Sequence, residues 1–222
     1  MPNSGNTKTL ILAGATGVVG QAVMKLALAH PQVGKVVALT RKPLPPQPKL
    51  LDQLIDFDQM PETAPWWENA DAVICTLGTT IKIAKTAEAF RRVDLHYPAQ
   101  LARIASLNGV HTFVLNSAMM ANPKARGLYL RTKGEAEKAV VEAGFESVTL
   151  ARPGLLDGNR SEKRPGEELG LLVSRIAKPL LPKRMRSVPV ENLARIMLEC
   201  ALRARPGVEV LESEVFQSTT LS

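Results

Sequence analysis

At 222 residues and 45% hydrophobic composition, the chain carries enough apolar surface for one sizeable core, and its length suits one domain better than two, which excludes a disordered or fibrous protein. Lys and Arg outnumber Asp and Glu by 28 to 21, giving a net charge of +7, so nucleic acid and anionic membranes come into question as partners. The aromatic count of 2 Trp, 2 Tyr and 5 Phe leaves little to stack bases, and no specific nucleic-acid partner is expected.

Thr9 to Ala13 is an apolar run that stops at Gly14, and from Val18 to His30 the residues Val19, Val23, Leu26 and Ala27 recur at helical spacing, which predicts strand, glycine turn and helix. The glycines of this stretch argue against a membrane span, and Pro2, Gly5 and Lys8 interrupt any apolar leader, so the expected compartment is the cytoplasm. Lys35 to Thr40 does not alternate and reads as a strand buried on both faces; Pro43 to Pro48 is a loop. Leu51 to Asp58 and Asp71 to Gly78 read as strands, followed by a long helix from Ala87 to Leu107 that Pro98 must kink or break. His111 to Ser117 is strand, Arg126 to Ala143 helix, and Ser147 to Arg152 strand ahead of the Pro153-Gly154 stop. Gly158 to Glu168 reads as a charged loop, Leu169 to Leu181 and Val190 to Ala204 as helices, and Val208 to Phe216 as a last edge strand. Cys75 and Cys200 lie in apolar stretches without metal-ligand spacing, and His30, His96 and His111 are scattered, so no metal site is expected. Trp66 and Trp67 read as packing or interface anchors.

Strands alternating with helices predict an α/β fold, a single-domain doubly wound parallel sheet spanning residues 1–222, with its ligand at the carboxyl ends of the strands. The substrate-facing part is expected from residues 154–190 and the C-terminal segment. The run Arg175, Lys178, Lys183, Arg184 and Arg186 contains no acid; it is either a solvated basic face or a surface that attracts anions.

Chemistry is expected first at Gly14-Ala15-Thr16-Gly17-Val18-Val19-Gly20, between the first strand and the first helix. There Gly14 and Gly17 allow a tight turn and close approach of a pyrophosphate, and the free amides around Thr16, Val18 and Val19 meet its charge. Where a ribose-binding acid would end the second strand, the chain has Arg41 and Lys42, a pair that favours a 2′-phosphate and hence NADP, with NADPH preferred over NADH, unless both are merely solvated. Asp56 and Phe57 close the third strand, where a carboxylate can accept from adenine and a ring can pack beside it, or where Asp56 is simply a turn residue. Tyr129 and Lys133, four apart on a helix, share one face, so that the ammonium can sit near the phenol and ease proton exchange with a substrate oxygen held by Ser117.

These motifs, together with Thr76-Leu77-Gly78-Thr79, Asn116-Ser117-Ala118 and Arg152-Pro153-Gly154, resemble an atypical short-chain dehydrogenase/reductase of the NAD(P)H-binding subgroup, from Leu10 to about Ala204. The resemblance implies an NAD(P)-binding Rossmann fold, a Ser117, Tyr129 and Lys133 set facing the nicotinamide, Leu77, Gly78 and Thr79 lining the cofactor, and Pro153 near its nicotinamide end. Asp94 stands where the larger family often places an Asn that completes a proton relay. The implied activity is reduction or oxidation of a small carbonyl or hydroxyl substrate with NADPH. The rivals are an epimerase or dehydratase that uses the same groups, and a cofactor-sensing regulator acting on a protein partner.

Overall fold

Parallel strands cannot be joined by a tight turn, so each strand of the pattern above must return through a crossover, and the computed structural model shows where each crossover goes. It describes residues 7–157 and 186–217. Strands β1 (Lys8–Ala13), β2 (Val33–Thr40), β3 (Leu50–Leu54), β4 (Ala72–Cys75), β5 (Thr112–Asn116) and β6 (Ser147–Arg152) lie in one sheet with a late strand, β9 (Gly207–Glu212). Their order is β3-β2-β1-β4-β5-β6-β9 and every neighbouring pair is parallel. The order reverses between β1 and β4, which opens a crevice at their carboxyl ends. Two-residue strands β7 (Leu156–Asp157) and β8 (Val188–Pro189) pair separately, a contact too short to leave any periodic signal in the sequence.

The sheet is buried on both faces, which is why its strands fail to alternate. On one face Leu10, Leu12, Val36, Ala38 and Ile74 pack with Val19, Val23 and Ala27 of α1 (Val18–Ala29) and with Leu193, Ile196 and Met197 of the last helix, Val190–Arg203. On the other, Ile11, Ala13, Val37, Val73 and Phe113 meet Leu101, Ile104 and Ala105 of α4 (Tyr97–Leu107) and Val140 of α5 (Leu128–Glu142).

Four predicted elements are redrawn. The fourth strand, expected to reach Gly78, ends at Cys75. The third strand stops at Leu54, because Asp56 accepts from the Asp58 amide and caps a 3-10 turn at Phe57–Gln59. The last strand stops at Glu212, and a second 3-10 turn follows at Val215–Gln217. The long helix is divided into α3 (Ala87–Arg91) and α4, with the residues Arg92–His96 between them forming a π turn, and a four-residue helix α2 (Ile81–Ala84) that was not expected precedes it. Pro98 explains that turn, since proline lacks the amide that would bond to the carbonyl of Asp94 and its ring crowds that carbonyl. The ladder widens ahead of it instead, and the Tyr97 amide donates to the Arg92 carbonyl. The helix Val190–Arg203, called α6 hereafter, follows its predicted bounds. The predicted loop from Gly158 to Glu168, the predicted helix from Leu169 to Leu181, and Arg175, Lys178, Lys183 and Arg184 lie outside the described residues.

Candidate active site

The β1-to-α1 turn is built from glycines with different duties. Gly14 takes a left-handed φ of +91°, and a Cβ there would lie 2.6 Å from Thr76 Oγ1; at Gly20 it would lie 2.0 Å from the Gly14 carbonyl oxygen. Both positions are dictated by how closely strand and helix approach. At Gly17 a Cβ would meet only the Gly14 carbonyl oxygen, at 3.4 Å, an ordinary contact. The fold itself does not require Gly17, and its bare Cα faces a cavity of about 920 Å³ at the carboxyl edge of the sheet.

Gly17, Val18, Val19, Arg41, Leu77, Gly78, Thr79, Ser117, Tyr129, Lys133 and Pro153 all line this cavity, drawn from six separate chain segments. The other expected residues stand apart from its wall. Gly14 shapes the turn from beneath, and the Thr16 carbonyl accepts from Gln21 Nε2 at 2.8 Å. Lys42 is exposed and lies off the wall, Asp56 caps its own turn, and Phe57 is buried with its ring 5.5 Å from that of Tyr97.

Lys133 is buried, at 7% exposure, and its Nζ lies 2.8 Å from Oδ1 of Asp94, itself 1% exposed. The π turn carries Asp94 there, and Asp94 Oδ2 accepts from the Thr79 amide at 2.8 Å, so one carboxylate ties the loop after β4 to α5. Burial alone would lower the Lys133 pKa, but the Asp94 charge, the neighbouring Tyr129 and the hydrogen bond to Asp94 outweigh it and hold the ammonium above its ordinary value. Cys75, beneath these groups, is pushed up to about 12 by burial and remains a thiol. Tyr129, one turn before Lys133, is 42% exposed, with its ring centroid 5.9 Å from that of Phe90.

Ser117 directly follows β5, with its amide bonded to the Ala151 carbonyl at 2.7 Å, and its hydroxyl donates to Glu137 Oε1 at 2.5 Å. Glu137 accepts in turn from both Nε and Nη2 of Arg152, at 2.9 and 2.7 Å. Glu137 was not among the expected residues, although Tyr129, Lys133 and Glu137 recur every four positions on one helix face and so carried a signal. Asn116, Thr80, Lys82, Ile83, Gly154, Leu155 and Leu156 also line the cavity. The last three fall within the expected substrate-facing part, whereas α2 had no such signal, because only the returning chain brings it to the wall.

The residues present fit a dinucleotide. Gly17 leaves the first turn of α1 without a side-chain cap, so its amides meet the cavity where an anion can take them. Asn116 Oδ1, also at the wall, is buried without a hydrogen-bond partner among the described residues. Among the described residues no group of His, Cys, Asp and Glu can hold a metal ion, and no helix is long and apolar enough to cross a membrane.

A parallel sheet in this order, with a glycine turn at its switch point, is the Rossmann fold of NAD(P)-binding proteins. The chain belongs to the NAD(P)H-binding family, whose profile matches residues 14–204. It is 33% identical over 215 residues to protein HTATIP2 of Rattus norvegicus, covering 93% of this chain and 87% of that one. It is 34% identical over 161 residues to the mitochondrial protein FMP52 of Candida albicans, covering 69% of each. Among solved structures, MoeE5 in complex with UDP-glucose and NAD superposes with a TM-score of 0.68 at 19% identity, over 91% of this chain and 75% of that one.

Two expectations are corrected by these comparisons. The preference for NADPH over NADH does not stand, because the similar solved structures whose cofactor is named hold NAD. The physical reason lies at β2: Lys42 does not reach the wall, and a lone arginine such as Arg41 can lay its planar guanidinium on a ring as well as pair with a phosphate. The cytoplasmic expectation fails as well, because the fungal FMP52 relatives are mitochondrial proteins. Mitochondrial targeting uses amphipathic, Arg- and Ser-rich segments, so apolar leaders have no bearing on that compartment.

Proposed function

We propose that the chain is an NAD-dependent enzyme of the epimerase or dehydratase kind, acting at a carbon that carries a hydroxyl group. The observation that carries this reading is the meeting of Tyr129, Lys133 and Ser117 on the wall that also holds the open first turn of α1. MoeE5 with UDP-glucose, and a UDP-glucuronic acid 4-epimerase from Bacillus cereus, share the fold and hold NAD, which supports a cofactor that is kept and reused.

The first-turn amides of α1 would hold the pyrophosphate, with Gly17 leaving it room, and Leu77, Gly78 and Thr79 would line the cofactor. When bound, NAD supplies a hydride acceptor that can give the hydride back. In the oxidising direction Tyr129 takes the proton from the substrate hydroxyl as its carbon loses hydride and becomes a carbonyl. In the return direction Tyr129 gives the proton back to the same oxygen. Lys133, kept charged by Asp94, stabilises negative charge on the phenolic oxygen, and Ser117 orients the substrate. No net oxidation results when the hydride returns to the molecule that gave it.

The test loads the protein with NAD, offers UDP-glucose and UDP-glucuronic acid, and follows the sugar by NMR and NADH by absorbance. A stereoisomer or dehydrated sugar should appear without net NADH, and Tyr129→Phe should lose about 10²–10⁴-fold in turnover while its NAD affinity holds. NADH rising in step with product would make the chain a net oxidoreductase instead. Full activity in Tyr129→Phe would remove the phenol from the mechanism.

A further inference from the structure

Behind the cavity wall Ser117 is backed by a chain of polar groups, Glu137, Arg152 and Glu212, to which the reading above gives no part; Ser117 and Glu137 are buried and the other two half-buried. Ser117, 5% exposed, donates to Glu137, which is 4% exposed. Arg152 grips Glu137 through two of its nitrogens and reaches Glu212 Oε1 on β9 with a third, at 3.0 Å. The hydrogen bond to Glu137 heads the causes that hold the Arg152 guanidinium above its ordinary pKa, against the cost of burial. Arginine keeps its protons at any working pH, so both Glu137 oxygens face N–H donors and the carboxylate carries the charge. The one proton between Ser117 and Glu137 is therefore the serine's own.

A serine hydroxyl has one proton and two lone pairs. With the proton committed to Glu137, Ser117 turns only lone pairs toward the cavity that it lines. It cannot donate to a substrate carbonyl. Nor can the reacting hydroxyl satisfy it in the proposed reaction, because that hydroxyl's single proton is the one exchanged with Tyr129. The donor must be another group on the substrate.

We propose that Ser117 meets the substrate as a hydrogen-bond acceptor and that its donor is a second hydroxyl, on the carbon next to the reacting one, so that the site selects a vicinal diol such as a sugar ring. Glu137 and Arg152 are positioning residues that set this polarity. The substrate class rests on the proposed epimerase or dehydratase reading; the polarity of Ser117 does not.

Neutron diffraction from deuterium-exchanged crystals tests the polarity without any substrate. The deuteron on Ser117 Oγ should lie toward Glu137. In Glu137→Ala, which removes the acceptor, the serine deuteron should leave that direction, with circular dichroism confirming the fold. A wild-type deuteron that points into the cavity, or sits on Glu137, overturns the proposal whatever the enzyme turns over.

Substrate class is tested with NAD and UDP-glucose against analogues in which one ring hydroxyl at a time is replaced by hydrogen. One analogue should lose about tenfold in kcat/KM with the wild type, the size of one hydrogen bond, and lose nothing further in Ser117→Ala. A Ser117→Ala variant that penalises the parent and every analogue equally overturns the diol reading. Failure to turn over any nucleotide sugar would defeat the function proposed above, and the deuteron position would still decide the polarity.

Discussion

Gly17 and Gly20 look alike in the sequence and differ in what they do. Because a Cβ at Gly17 meets nothing closer than 3.4 Å, Gly17→Val should fold with a near-normal melting curve and lose NAD binding measured by calorimetry. Gly20→Ala drives a methyl to 2.0 Å from a backbone carbonyl, so it should lower stability by about 1–3 kcal/mol in urea melts. Gly17→Val binding NAD as well as the parent would remove this turn from the cofactor site.

The Lys133 and Asp94 pair makes a second prediction at the same scale. Removing one member strands a buried charge, so Asp94→Ala should cost about 3–5 kcal/mol in chemical denaturation. Because the folded Lys133 pKa is raised above its usual 10.5, the pair's contribution is fully present below that value. It should fade as pH rises through the higher folded value, and the Asp94→Ala deficit should shrink with it. A deficit that stays constant into strong alkali would show that the loss comes from packing and not from charge.

At the scale of elements, the region between β4 and α4 is held by short caps. Thr80 accepts from the Ile83 amide at 3.1 Å and Thr86 from the Ala89 amide at 3.0 Å, restarting the helix after Lys85 turns left-handed at φ 67°. Since α3 leads into the π turn that carries Asp94, Thr86→Ala should cost about 1 kcal/mol of stability by thermal melting. Thr86→Ser, which keeps the oxygen, should recover most of it. Equal losses in both variants would locate the effect in the threonine methyl group.

For the molecule as a whole, the two apolar layers share one sheet, so damage at its centre is felt on both faces. Ile104 of α4 is fully buried against the sheet, and Ile104→Ala should cost about 2–5 kcal/mol in urea unfolding, far more than Leu107→Ala at a 69% exposed position of the same helix. Similar losses at both positions would contradict the packing described for α4.

What the sequence settled by itself was whatever depends on neighbours along the chain. Non-alternating apolar runs mark strands covered on both faces, Val19, Val23 and Ala27 mark the buried stripe of α1, and Gly14 to Gly20 mark the turn at the switch point. Tyr129 and Lys133 were legible because a helix places residues four apart on one face. The tertiary structure decided what depends on contacts between distant segments. Asp94 reaches Lys133 only because Pro98 widens the helix ahead of it. Ser117, Glu137, Arg152 and Glu212 join only because β5, β6 and β9 lie side by side, with α5 packed against the sheet. Asp56 and Phe57 fell away from the cavity for the same reason: a strand end read locally as a ligand edge is turned aside by its own cap. Local spacing specifies which side chains share an element, whereas a site is an arrangement between elements, and its polarity and charge follow from the partners that folding supplies.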